Sequence, residues 1–267
     1  MAVAQRIAAV NAEGRAALIV YLPAGYPDMD TSQACIEAAV EGGADLIEVG
    51  LPYSDPLMDG PIIQAANQVA MGHGYTPADD LAMCGRLTAA IDVPAVAMTY
   101  YNIAWHYDGV DQLEAFADAC AEAGLAGTIL PDLPADEGVT WCKVSAAHGL
   151  ETVFLTSPSS SDERIAGVVE ASTGFVYATS TMGVTGVRQS LSERARPLVD
   201  RIRPLTDKPV CVGIGVTLPE HAEEIAGFAD GVIVGSAVVK AAGEGGPEAV
   251  KEYVAGLAEG VRRAARA

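Results

Sequence analysis

Eight short apolar runs of strand length, separated by longer stretches with helical apolar spacing, constrain this chain more than any other feature of its sequence. The runs are Ala17–Leu22, Leu46–Val49, Ala95–Met98, Gly127–Leu130, Thr152–Leu155, Phe175–Ala178, Val210–Val212 and Gly231–Val234. Helical segments between them include Ala34–Val40, Leu113–Ala123 after Asp111, Ile165–Val169 after Asp162 and the stretch following Pro219. A repeated strand-then-helix order calls for parallel strands, because each helix must return the chain to the end from which the next strand starts. Eight such units in 267 residues predict closure into a (β/α)₈ TIM barrel, with an open doubly wound sheet as the alternative. An extra helix is predicted before the first strand, over Val3–Ala12, and Gly243–Pro247 reads as a turn before the last helix. No linker, low-complexity run or repeat interrupts the order, so residues 1–267 are expected to form a single domain.

Charge removes several classes of function. A formal net charge of -19 repels phosphodiester backbones and anionic lipid, which excludes nucleic acid and membrane surfaces as partners. A small phosphorylated substrate is still permitted, since a helix terminus and a few backbone N–H groups can bind one phosphate inside a negative protein. The cysteines Cys35, Cys84, Cys120, Cys142 and Cys211 are odd in number and form no CxxC pair, so neither a disulfide framework nor a zinc site is indicated. Residues 1–12 lack an apolar core of signal-peptide length, and no apolar run approaches the roughly 18 residues of a membrane span. A cytoplasmic location is the expectation.

In a barrel of this kind the chemistry sits at the C-terminal ends of the strands and in the loops beyond them. The second strand and its loop place one carboxylate within an apolar run, Glu48, and two more after it, Asp55 and Asp59. Alternation along the strand turns Ile47 and Val49 towards the covering helices and Leu46 and Glu48 into the barrel. An inward carboxylate loses solvation, which raises its pKa towards values useful for proton transfer. The competing reading of Glu48 is a buried glutamate held by a hydrogen-bond network. Asp59, followed by Gly60 and Pro61, is written equally as a functional acid and as a helix N-cap, whereas Asp55, between Ser54 and Pro56, reads as a turn or surface residue.

Glycines recur after the sixth, seventh and eighth strands: Gly183 and Gly186 flank Val184 and Thr185, Gly213 and Gly215 flank Ile214, and Gly235 precedes Ser236. Glycine lets backbone N–H groups approach an anion, and a short phosphate-binding helix starting at Ser236 would add its positive dipole end. Each taken alone also reads as an ordinary turn. The four histidines fall outside strand ends and show no metal-ligand or triad spacing.

Ile47 through Gly60 resembles the signature of the tryptophan synthase alpha subunit, departing from it at Met58, where that family usually has a small residue. The resemblance implies that Glu48 and Asp59 are the two catalytic acids. It extends over almost the whole chain: Gly183–Gly186 is similar to the family's mobile sixth loop, and Gly213–Gly215 with Gly235 and Ser236 to its phosphate cradle. It further implies that Tyr21, Tyr100 and Tyr177 line the indole side of the pocket, and that Thr185 and Gly186 belong to a closing loop over substrate. Asp55, Asp132 and Pro134 would face a beta subunit. By spacing alone Tyr101 serves as well as Tyr100. The implied activity is retro-aldol cleavage of indole-3-glycerol phosphate to indole and glyceraldehyde 3-phosphate in L-tryptophan biosynthesis. No cofactor is implied in this subunit; pyridoxal phosphate is expected in the beta partner of an alpha-beta heterotetramer. The segment Gly183–Leu191, with two glycines and few apolar anchors, is expected to be mobile without ligand. Rival barrel enzymes that act through a lysine would need one at a strand end, and Lys143, Lys208, Lys240 and Lys251 offer none.

Overall fold

A computed structural model describes residues 1–109, 112–179, 191–213 and 215–265. Among them run eight parallel strands, β1 (Ala17–Pro23), β2 (Leu46–Gly50), β3 (Ala95–Met98), β4 (Gly127–Ile129), β5 (Glu151–Thr156), β6 (Val176–Thr179), β7 (Val210–Gly213) and β8 (Gly231–Val234). Each pairs with the next and β8 pairs with β1, which closes the (β/α)₈ barrel. The strand boundaries agree with the sequence reading to within one residue at each end. The helices are α1 (Val3–Ala12), α2 (Met29–Glu41), α3 (Pro61–Gly72), α4 (Pro77–Ala90), α5 (Tyr101–Trp105), α6 (Leu113–Glu122), α7 (Val139–Ala147), α8 (Asp162–Ala171), α9 (Leu191–Ile202), α10 (Pro219–Ala226) and α11 (Ser236–Arg263).

Local chemistry sets where these helices begin. Asp28 caps α2 by accepting from Thr31 N, and Thr76 with Asp79 forms a reciprocal capping box at α4 behind Pro77. Ser161, one residue before the Asp162 start signal, caps α8 by accepting from Arg164 N. At α6 the cap position is Gln112, without a side-chain bond, and Asp111 lies outside the described residues. The last helix is broken where the sequence places a turn: Gly246 has φ +64, in the left-handed region that glycine tolerates, and Pro247 restarts the helix. A helix from Ser236 to that break therefore follows β8.

Alternation along the strands divides the apolar core in two. Ile47, Val49, Ala97, Val176, Val212 and Val232 pack outward under the helices. Ile19, Leu46, Val96, Ile129, Val153, Phe175, Tyr177, Cys211 and Ile233 fill the barrel interior, and Val3, Ile7 and Val10 of α1 join them as a plug at the bottom. The mouth at the opposite end is left for the site.

Candidate active site

The register of the strands assembles the site's floor. Tyr21 on β1 lies beside Glu48 on β2, and Leu155 on β5 beside Tyr177 on β6. These inward side chains, with Met98 from β3 and Ile233 from β8, line a cavity of about 210 Å³. Met58, Asp59, Gly60 and Ile63 also line it, as do Gly215, Val216, Thr217, Gly235 and Ser236. Among the described residues, a wider cleft of about 810 Å³ between α7 and α8 shares only Leu155 with this cavity and contains neither Glu48 nor Asp59.

Glu48 is 1 % exposed, and its Oε1 has no hydrogen-bond partner. Burial among apolar neighbours pushes its carboxyl up to about 8. A glutamate held in a buried network would have both oxygens paired, and no described residue pairs Oε1. Asp59 is not the N-cap of α3: that position is Gly60, with no side-chain cap bond. Its carboxylate instead turns to the cavity and accepts from Asn67 Nδ2 at 3.3 Å. Desolvation raises Asp59 to about 6 despite that donor, which acts in the opposite sense. The two environments thus hold the acids unequally, with Glu48 keeping its proton to a higher pH than Asp59.

Tyr21 and Tyr177, both singled out in the sequence, are buried at the cavity wall, with burial holding both hydroxyls protonated. A Cβ at Gly50 would overlap the Tyr21 hydroxyl, and a Cβ at Gly213 the Tyr177 hydroxyl. Gly213 therefore makes room for an aromatic ring on the neighbouring strand, a reason different from close approach to an anion. Gly215 has φ +94 and lines the cavity; Gly235 and Ser236 do so where α11 begins. Tyr100 does not line the cavity. Its hydroxyl accepts from Met58 N at 2.9 Å, and its ring stacks on Tyr53 with centroids 5.0 Å apart. Tyr101 starts α5, packs against Trp105 and donates its N–H to Asp132 Oδ1 at 2.9 Å. Asp55, Asp132 and Pro134 are exposed, and Leu57 beside Asp55 is 86 % exposed. Thr185, Gly186 and the rest of residues 183–190 lie outside the described residues.

Met98, Leu155, Ile233, Ile63 and Asn67 were not singled out in the sequence. The alternation that turns Glu48 inward would have found the first three, since each sits at an inward position near the end of its strand. Ile63 and Asn67 depend on how α3 packs and left no such signal. None of the four lysines reaches a strand end over the cavity: Lys143 is on α7, Lys240 and Lys251 on α11, and Lys208 precedes β7. Among the described residues no group of His, Cys, Asp and Glu could hold a metal ion.

The profile of the family described as "Tryptophan synthase alpha chain" matches residues 7–265. Relatives of that name from Streptomyces avermitilis and Mycobacterium avium are each 51 % identical, covering 96 % of this chain and 93 % and 92 % of their own. Mycobacterium tuberculosis tryptophan synthase superimposes with a TM-score of 0.89 at 47 % identity, over 97 % of this chain and 98 % of that one. A chain of the tryptophan synthase complex from Pyrococcus furiosus does so with a TM-score of 0.80 at 32 % identity, over 91 % of this chain and 98 % of its own. A closed barrel with two desolvated acids at its mouth, matched along nearly its whole length, belongs to the tryptophan synthase alpha chain family.

Proposed function

We propose that Glu48 is the acid and base, and Asp59 the charge-offsetting carboxylate, of the reaction that defines this family. That reaction is the cleavage of indole-3-glycerol phosphate to indole and glyceraldehyde 3-phosphate, a carbon–carbon lyase step of L-tryptophan biosynthesis. The observation that carries the assignment is the presence of both desolvated carboxylates on one small, largely apolar cavity.

Glu48, protonated at neutral pH, gives its proton to C3 of the indole, and positive charge appears on the ring nitrogen. Asp59, ionised at the same pH, accepts the ring N–H and offsets that charge. The Glu48 carboxylate then takes the proton of the side-chain hydroxyl. As the carbonyl forms, the bond from C3 to the side chain breaks and its electrons restore the indole. One proton enters and one leaves, no electron is transferred to a third group, and the two acids suffice. Met98, Leu155, Ile63 and Ile233 match the apolar ring. Gly215 after β7, with Gly235 and Ser236 at the N-terminal end of α11, suits the phosphate, and Gly213 leaves room for Tyr177 on the indole side. Thr185 and Gly186 complete the closing loop in this reading.

The alpha subunit works with a beta subunit. We assign Asp55, Asp132 and Pro134, with the exposed Leu57 and Met58, to that interface, and the assembly to two copies of each subunit. Pyridoxal phosphate belongs to the beta partner, which receives the apolar indole directly. No helix of the described residues is long and apolar enough to cross a membrane, and we place the reaction in the cytoplasm.

Glu48→Gln and Asp59→Asn, nearly isosteric, test the division of labour. Glu48→Gln is expected to lose ~10²–10⁴-fold in indole release at every pH, the usual cost of a missing general acid/base. Asp59→Asn is expected to be severe as well, because the amide cannot offset the cation. Titration calorimetry should find both variants binding glyceraldehyde 3-phosphate like the parent, since other loops hold the phosphate. Near-normal cleavage by Glu48→Gln would remove Glu48 from the mechanism.

A further inference from the structure

We propose that Asn67 and Tyr100 are positioning residues for this reaction, Asn67 holding the Asp59 carboxylate and Tyr100 the backbone beside it, so that substrate meets a fixed anion. The inference rests on the role given to Asp59 above. Asp59 sits in a loop whose neighbours are open to solvent: Asp55 and Leu57 are exposed, and Met58 is 51 % exposed. An acid at that place would ordinarily sample many rotamers and turn towards water, where a carboxylate is better solvated.

Two elements prevent this. From α3, Asn67 Nδ2 donates to Asp59 Oδ2 at 3.3 Å, and one turn earlier Gln64 Nε2 donates to the Asp59 carbonyl at 2.8 Å. From the end of β3, the buried Tyr100 hydroxyl accepts the N–H of Met58 at 2.9 Å, and its ring is itself steadied by Tyr53. Residues three apart on a helix share a face, which is why Gln64 and Asn67 converge on one residue.

Asn67 is badly placed for any purpose of stability. It is 2 % exposed in the interior of a helix, a position to which asparagine is ill suited, and its Oδ1 is buried without a partner. An apolar residue would serve packing better. The hydrogen bond this amide makes in its buried setting goes to Asp59, and it is the bond of a donor to an anion, which favours the ionised form. Tyr100 likewise spends its hydroxyl on the loop backbone rather than on the cavity.

Asn67→Ala, Asn67→Asp and Tyr100→Phe separate positioning from plain structure, assayed for indole release with the beta subunit present. The two Asn67 variants are expected to lose about tenfold or more in kcat, the scale of a hydrogen bond to a charged group, and Tyr100→Phe about two- to tenfold, the scale of a neutral one, each with KM held within about twofold. In the two Asn67 variants the acidic limb of the kcat–pH profile should move to higher pH, because Asp59 loses a donor to its anion. The shift should be larger in Asn67→Asp, which keeps the shape and adds a like charge. Tyr100→Phe should lower kcat without moving that limb, since its hydroxyl touches the backbone and not the carboxylate. Folded variants with the parent's kcat and pH profile overturn the inference. If the Asn67 variants do not fold, Tyr100→Phe decides alone, with parental kcat as the overturning result. Asp59→Asn is run beside them: if it is active, the role of Asp59 falls and this inference with it, whereas an inactive Asp59→Asn beside parental Asn67 and Tyr100 variants removes the brace alone.

Discussion

Glu48 is a residue the fold would be more stable without. Its carboxyl ionises near 4.5 in the open chain and at about 8 in the barrel. Between those values the folded protein keeps a proton that the unfolded chain has released, so the carboxyl lowers stability progressively as pH rises from about 4.5 to 8, and fully above that. Each tenfold difference in acidity between the folded and unfolded chain is equivalent to roughly 1.4 kcal/mol, so the greatest loss is of the order of a few kcal/mol, a sizeable share of a protein's net stability. Glu48→Gln abolishes the titration. Its Tm should therefore exceed the parent's by a margin that is smallest near about pH 5 and widens towards about pH 9. Calorimetric scans of both proteins across that range read the margin directly, and a margin independent of pH would mean that the buried charge is not the burden. Glu48 was legible as an inward acid because a single carboxylate in an apolar strand has only two directions to point. The state of Asp59 was not legible, because Asp, Gly and Pro in that order also write a helix start, and only the placement of Gly60 at the cap decides between the two.

The strands and helices divide the labour between the two ends of the barrel. At the bottom, Asp45 just before β2 accepts from Arg15 Nη1 at 2.6 Å and Nη2 at 2.9 Å, from Arg6 Nη2 at 3.0 Å and from Leu18 N at 3.0 Å. One carboxylate thereby ties α1, β1 and β2 together. Asp45 is almost fully buried while Arg15 and Arg6 keep 22 % and 26 % of their side-chain surface. Asp45→Ala should then cost roughly 2–3 kcal/mol, below the 3–5 of a fully buried pair because the arginines can turn to water. Urea unfolding reads that loss, and kcat of the folded variant should match the parent, since the bottom face carries no chemistry. A fall in kcat at full folding would mean that strain at the bottom reaches the mouth. Strand positions were legible because the periods of 2 and 3.6 differ and each strand is flanked by polar turns, whereas α4, α5 and α7 were not singled out. Ser161 rather than Asp162 at the cap of α8 was less so, because both residue types begin helices and the backbone geometry selects one.

The whole molecule carries 35 acidic against 16 basic side chains, a net charge of -19. Its surface ion pairs, such as Lys251 with Glu41 and Arg263 with Glu223, are each worth about 0–1 kcal/mol and weaken with salt. Repulsion among the excess anions is spread over the entire surface and weakens with salt too, so the larger effect fixes the sign. Raising NaCl to about 0.5 M, where the screening length falls to about 4 Å, should raise Tm by a few degrees. A falling Tm in the same thermal scans would mean that the specific pairs outweigh the excess. At this scale the sequence by itself determined the repeated strand-then-helix order that predicts a barrel and the strand that carries Glu48, because periodicity and chain order are local properties that each segment states for itself. Only the tertiary structure decided that the Tyr100 hydroxyl meets Met58 N, that Gly213 yields its space to Tyr177, and that Asn67 reaches Asp59. Those contacts join segments whose distance in space is set by barrel closure and helix packing, and no periodicity along the chain encodes which side chains then meet.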